Sequence, residues 1–236
     1  MQPDWFVEGY LVRKISILLV DDHKLMLQGL RALLLAESDI EIAGEAVNGR
    51  EAVQMAEKLV PDVVVMDVAM PKLNGLEATR QIRKKVPLAK VIVLSSYDDI
   101  EYVRQLIEAG AVGYLSKETV ANDLINAIRK AKKGNNYFSS SIAKRLLAHD
   151  RESFLEAGKQ PGRKSILELT SRESEVLQLV AEGRSNKQMA TEMGISIKTV
   201  EKHRQQVMDK LHIHDVAGLT RYAIAQGVVE SPIRLG

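Results

Sequence analysis

Asp67 ends an apolar run. In VVVMDVAMPKLNG (63–75) four apolar residues lead into the carboxylate, and the chain then turns through Met70-Pro71 and Asn74-Gly75. An unpaired carboxylate is costly to bury, so Asp67 belongs either at an exposed strand end or in a site that uses its charge. Other reactive side chains sit in the same way. Asp21 and Asp22 follow ISILLV (15–20), Ser95 and Ser96 end VIVLSS (91–96), and Lys117 ends VGYLSK (112–117). If these runs are strands of one parallel sheet, all of these groups meet beyond one edge, where such sheets place their ligands. Three carboxylates held close repel one another and call for a hard cation. Mg²⁺ suits oxygen ligands, usually keeping several waters and taking one or two carboxylates with a phosphate. An Asp carboxylate can attack phosphorus to form an acyl phosphate. Phosphoryl transfer mainly needs positioning and charge neutralisation, which Mg²⁺, the Lys117 amine and the Ser95 hydroxyl would supply.

The elements that must hold these groups are legible. With IEIAGEA (40–46), the runs make five short, mostly Val- and Ile-rich segments, which read as strands, several buried on both faces. Helical patterns alternate with them at Lys24–Ala36, Arg50–Leu59, Leu76–Lys85, Ile100–Ala109 and Ala121–Lys133, and Gly110 and Gly134 stand at helix C′ positions. The pattern predicts an α/β fold, a five-stranded doubly wound parallel sheet with helices on both faces.

The rest of the 236-residue chain divides around this unit. Residues 1–13 read as an extension, with Trp5 and Phe6 resting on the domain, and 14–134 as the α/β unit. Residues 135–165 read as a turn, a short helix and a polar linker containing Gly158, Pro161 and Gly162, and 166–236 as a second, all-α domain. There are no cysteines, which excludes disulfides, cysteine zinc sites and thiol nucleophiles and fits a reducing cytoplasm. The N-terminus lacks a signal-peptide core, and no apolar run approaches the ~20 residues of a membrane span. Residues 14–134 carry 17 cations and 17 anions, and 163–236 carry 11 and 9. Any nucleic-acid binding by the second domain therefore rests on placed charges rather than bulk charge.

That second domain has four helices by its punctuation. Thr170 and Glu173 form a capping-box pattern before SEVLQLVAE. Ser185 caps NKQMATEM, Ser196 caps a helix from about Ile197 to Leu211, and a fourth covers about Val216–Gln226. Short helices joined by a tight glycine turn are the helix-turn-helix arrangement. In the third helix Val200, Val207 and Leu211 share an apolar face, while Lys198, Glu201, Lys202 and Gln205 lie opposite, as major-groove reading requires.

The set DD (21–22), DxxMPxxxG (67–75), SS (95–96) and YLSK (114–117) resembles a flavodoxin-like response-regulator receiver domain over about residues 14–134. The resemblance implies Asp67 as phosphoacceptor, and Asp21, Asp22 and the backbone carbonyl of Ala69 as further Mg²⁺ ligands. It also implies Ser95 as switch hydroxyl, Tyr114 as aromatic switch turning inward behind it, and Lys117 as the phosphate-contacting amine. Glu118 stands where many receivers have proline, and Ala69 lacks a polar side chain at a position that tunes dephosphorylation.

LTSREsEVL, EGRSNKQMA, GIS and KTVEKH resemble the LuxR-type helix-turn-helix of the NarL/FixJ family over about residues 168–227. Glu201, Lys202 and Gln205 are then expected to read bases. Lys198 and Thr199 belong to the same surface, and Thr199, Arg204, Asn186, Lys187 and Lys210 suit phosphate contacts. The expectation is a two-component response regulator. A sensor histidine kinase phosphorylates Asp67, and a homodimer then binds a pseudo-palindromic double-stranded DNA site through contacts that include the fourth helix. RNA polymerase is a further partner such a regulator allows. The alternative is a phosphorylation-independent regulator whose receiver serves dimerisation. A phosphohydrolase turning over external substrates is disfavoured by Ala69, where an acid is expected.

Overall fold

The computed structural model describes residues 13–95, 100–118, 121–139, 142–146, 148 and 169–229. Trp5, Phe6, Ser96 and the predicted linker at 149–165 lie outside the described residues.

The chain runs β1 (Ile15–Val20), α1 (Lys24–Leu35), β2 (Ile40–Ala46), α2 (Gly49–Leu59), β3 (Val63–Asp67), α3 (Gly75–Lys85), β4 (Lys90–Ser95), α4 (Ile100–Glu108), β5 (Ala111–Ser116), α5 (Ala121–Lys132) and β6 (Tyr137–Phe138). A short helical segment, α6, covers 142–146. Four helices follow: α7 (Ser171–Ala181), α8 (Asn186–Met193), α9 (Ile197–Leu211) and α10 (Val216–Ala225). Every strand pairing is parallel, in the order β2-β1-β3-β4-β5-β6. The sheet has six strands rather than five. The sixth is a two-residue strand beside Gly113 and Tyr114 that was expected to be a turn, too short for any periodicity to reveal.

The apolar runs are continuous because both faces of the sheet are covered. Ile17 and Leu19 of β1, with Val63, Val65, Ile92 and Leu94, pack under α1 and α5. Leu18 and Val20, with Val64, Met66, Val91 and Val93, pack under α2, α3 and α4. Successive side chains of a strand point to opposite faces, so each run contributes to two cores. The strand order reverses at β1, which lies between β2 and β3, and this makes the crevice beyond β1 and β3 the switch point of the sheet.

The C-terminal helices enclose a separate core of Val176, Leu177, Leu179, Val180, Met189, Met193, Val200, Val207, Leu219 and Ala223. The predicted caps form. Thr170 and Glu173 make a reciprocal capping box, Ser185 makes another with Gln188, and Ser196 accepts from the Thr199 amide.

Candidate phosphoacceptor site and DNA-reading helix

Register brings the acids together. Val20 pairs with Met66, so the residues that follow them, Asp21 and Asp67, leave neighbouring strands side by side. Asp21 is 1% exposed and Asp67 4% exposed. One ligand atom from each of Asp21, Asp22, His23 and Asp67 lies within 4.8 Å of the others. Lys117 reaches in from the end of β5, its backbone amide donating a hydrogen bond to the Ser95 carbonyl at 2.9 Å. Its Nζ lies 2.8 Å from Asp67 Oδ2 and 3.0 Å from Asp21 Oδ2. The other Asp67 oxygen, Oδ1, accepts from the Val68 amide at 2.7 Å.

Charge in this cleft is frustrated. Burial pushes Asp67 up to about 6, and the neighbouring Asp21 adds to this, while Lys117 and the Val68 amide pull it down. Burial acts to lower Lys117, but its two carboxylate partners outweigh that and hold it above its ordinary value. At neutral pH Asp67 is therefore ionised, and it shares the Lys117 ammonium with the Asp21 side chain. The donor set fits a hard cation: all three Asp residues offer carboxylate oxygens, and one from each lies within 4.8 Å of the others. His23 stands at its rim, with Nδ1 3.0 Å from Asp22 Oδ1 and 3.2 Å from Asp21 Oδ1.

Ser95 is buried at the end of β4, and Ala69 lies in the β3–α3 loop two residues past Asp67. Tyr114 is among the most buried side chains, turned inward on the sheet face covered by α4 together with Tyr102, Val103 and Leu106. The β5 pleat sends it to that face.

In the C-terminal domain Lys198, Glu201, Lys202 and Gln205 recur at +3, +4 and +7 along α9 and are all exposed, while Val200 and Val207 face the core. Arg204 donates to Asn186 Oδ1 at 3.1 Å, tying α9 to the start of α8, and Gln205 donates to Asp209 at 2.8 Å. Thr199 shares the N-terminal turn with Ser196, their hydroxyls 2.8 Å apart, and Lys187 is exposed on α8. Lys210 goes elsewhere: its Nζ is 2.7 Å from Glu173 Oε2, the acid of the α7 capping box. It joins α9 to α7, a role that its position in sequence does not show.

A further set of residues was not legible in advance. Ser171, Glu175, Gln178 and Glu182 fall at +4, +7 and +11, a polar stripe along α7 opposite its apolar one. Such a stripe ordinarily reads as solvated. Here it lies against the receiver, with Glu175 and Gln178 each 1% exposed. Gln81 Nε2 of α3 donates to Glu175 Oε1 at 2.8 Å, and Arg50 of α2 approaches Glu175 Oε2 at 3.3 Å. Gln178 Oε1 accepts from the Asn74 amide at 2.8 Å, its Nε2 donates to the Met70 carbonyl at 2.8 Å, and Glu182 Oε1 accepts from the Lys72 amide at 2.9 Å. Gln178 and Glu182 thus bond to the loop that follows Asp67, while Glu175 bonds to α2 and α3.

A doubly wound sheet with an acid-and-lysine cleft, joined to a four-helix unit with an exposed polar helix, defines a receiver coupled to a helix-turn-helix. The family model of the response regulator receiver domain matches residues 17–129, and that of the bacterial regulatory proteins of the luxR family matches 167–223. The transcriptional regulatory protein LiaR of Bacillus subtilis is 41% identical over 209 residues, covering 89% of this chain and 96% of LiaR. The transcriptional regulatory protein MctR of Rhizobium johnstonii is 38% identical over 216 residues, covering 92% and 96%. Among solved structures, the RcsB response regulator of Salmonella typhimurium, described for its conformational dynamism in DNA interaction, matches with a TM-score of 0.52 and 25% identity over 90% of this chain and 99% of that one. The chain belongs to the response regulators that carry a receiver and a LuxR-type helix-turn-helix domain, and it is a transcriptional regulator of that family. Among the described residues no helix is long and apolar enough to cross a membrane.

Proposed function

We propose that Asp67 is the phosphoacceptor and that its phosphorylation by a sensor histidine kinase, or by a small phosphodonor, controls dimerisation and sequence-specific DNA binding. The observation that supports this most directly is the contact of Lys117 Nζ with Asp67 Oδ2 at 2.8 Å inside the cleft of Asp21 and Asp22. An Asp67 oxygen attacks phosphorus, a P–O bond forms, and the P–N bond to the donor imidazole breaks, the leaving nitrogen keeping the electron pair. Lys117 holds positive charge beside the transferred group, and Ser95, buried at the end of β4, would supply a hydroxyl. Asp21, Asp22, Asp67 and the Ala69 carbonyl would hold Mg²⁺, which supplies neutralising charge when bound.

The protein modifies its own side chain in this reading and is not a turnover enzyme. Its output is the exposed row Lys198, Glu201, Lys202 and Gln205, with Thr199, Arg204, Asn186 and Lys187 against phosphates. Two copies related by a two-fold axis, meeting in part through α10, then match a pseudo-palindromic duplex site. Incubation with acetyl phosphate and Mg²⁺ followed by intact-mass measurement tests the first step: one phosphoryl group is expected on the wild type and none on Asp67→Asn. Phosphorylation persisting in the variant overturns the assignment.

A further inference from the structure

The edge of the receiver sheet opposite the acid cleft carries apolar side chains that the described residues do not cover. A groove of about 540 Å³ there is lined by Glu57, Val60, Lys85, Val86, Pro87 and Leu88, at the C-terminal ends of α2 and α3. Val60 is 52% exposed and Leu88 79% exposed. Val60 also closes α2 with φ 46°, a left-handed conformation that is an outlier for a β-branched residue. Glycine or asparagine ordinarily takes such a position, so an exposed valine is kept here despite backbone strain. The facing wall is held in place. The Arg83 guanidinium donates to the Pro87 carbonyl at 2.7 Å, and the Ala89 amide donates to the Val86 carbonyl at 3.0 Å. The rim is basic: Lys85 pairs with Glu57, and the neighbouring Lys58 and Lys84 are exposed.

The start of β1 opens onto the same edge. The Asp62 amide, two residues past Val60, donates to the Ser16 carbonyl at 2.9 Å, and the Lys90 amide, two residues past Leu88, donates to the Asp62 carbonyl at 3.0 Å. Measured across the sheet, Arg13 is thus about two strand spacings, roughly 10 Å, from the β4 side of the groove. Residues 1–12, MQPDWFVEGYLV, precede Arg13. Trp5 and Phe6 come eight and seven residues before it, a length of chain that spans up to roughly 25 Å when extended. That reach is ample. The segment is apolar at Trp5-Phe6-Val7 and acidic on either side, at Asp4 and Glu8, which complements an apolar groove with a basic rim.

We propose that residues 1–12 occupy this groove. Trp5 and Phe6 cover Val60, Pro87 and Leu88, and Asp4 and Glu8 face Lys58, Lys84 and Lys85. The segment is a built-in cover for the end of the receiver farthest from Asp67. Large aromatic side chains bury roughly 150–250 Å² each, and an apolar surface left open calls for such an occupant.

Trp5 is the single tryptophan of the chain, so the intrinsic fluorescence of the full-length protein reads its surroundings directly. Wild-type emission should be blue-shifted from that of the urea-unfolded chain, with severalfold weaker quenching by acrylamide. Leu88→Asp should lose the blue shift and quench like the unfolded chain, while circular dichroism shows it folded. Val60→Asn, which suits the left-handed cap and removes the apolar side chain, should move the same way and provides a second folded variant. Leu35→Asp, at an exposed leucine of α1 on the other face of the sheet, should keep the wild-type emission. Wild-type emission already at the unfolded position overturns the proposal. So does a blue shift that Leu88→Asp and Val60→Asn both retain, which would place Trp5 elsewhere. A blue shift lost on dilution, together with a fall in molecular mass, overturns it in favour of a second copy as the occupant.

Discussion

Lys117 Nζ lies 2.8 Å from Asp67 Oδ2, the tightest of the ammonium's contacts in the cleft, and yet Asp67 is held up to about 6. The ion pair does not offset the burial of the acid beside a second acid. The site stores unfavourable energy in the resting state, and a cation or a phosphoryl group changes that balance.

Asp67→Asn should therefore stabilise the metal-free protein at neutral pH. A carboxyl raised from 3.8 to about 6 on folding binds its proton more tightly in the folded state. Stability then falls as pH rises from about 4 to about 6 and is flat above, by about 3 kcal/mol in all at 1.36 kcal/mol per pH unit. Chemical denaturation of wild type and variant between pH 4 and 8 checks this. The variant should gain stability at pH 7 and lose most of that slope.

Lys117→Ala should do the reverse. Removing the cation leaves Asp21 and Asp67 buried together without a partner, and breaking such a pair costs about 3 kcal/mol or more. Mg²⁺ should then raise the melting temperature of Lys117→Ala by more than it raises that of the wild type. Equal shifts would mean that the metal does not share the acids with Lys117.

The domain boundary carries its own titration. Glu77 of α3 is 2% exposed, and Gln81 Nε2 bridges it to Glu175 of α7, at 3.0 and 2.8 Å. Burial raises Glu77, Gln81, Ser171 and Arg80 pull it down, and Glu175 raises it further. Arg50 and Arg172 approach the Glu175 side of the cluster, at 3.3 and 3.1 Å. Because the docked form favours the protonated acid, docking should strengthen as pH falls and weaken as pH rises through the raised value. The chain has no cysteines, so a dye pair on cysteines introduced at Leu88 and Lys202 reports the distance between domains. The wild type should show this pH dependence, and Glu77→Gln should flatten it.

On α9, Lys202→Ala or Gln205→Ala should cost about 1–3 kcal/mol on a cognate duplex and relax preference at one base position. Arg204→Ala also releases Asn186 and should weaken all duplexes alike, with the salt slope shallower by about one. Titrations over a range of salt concentrations on cognate and scrambled duplexes separate the two behaviours.

The strands and the acid cleft were legible because each reactive residue follows a continuous apolar run, and a sheet covered on both faces makes such runs unambiguous. Asp21, Asp22, Asp67, Ser95 and Lys117 could be placed from strand ends alone. The helix ends in the second domain were legible for a similar local reason, the capping residues Thr170, Ser185 and Ser196. What could not be read was non-local. The stripe Ser171, Glu175, Gln178 and Glu182 has the spacing of a solvated face, and only the receiver packed against it makes it an interface. The depth of Tyr114 was hidden for a related reason: the pattern gives its strand but not how deeply α4 covers it.

The central claim is that phosphate on Asp67 changes how the chain binds DNA. It is tested most directly by measuring molecular mass in solution and duplex affinity together, with and without acetyl phosphate and Mg²⁺, for wild type and Asp67→Asn. A dimer and tighter DNA binding that appear only with the phosphodonor, and only in the wild type, are the predicted result. Mass and affinity that ignore the phosphodonor, or respond equally in Asp67→Asn, would contradict it.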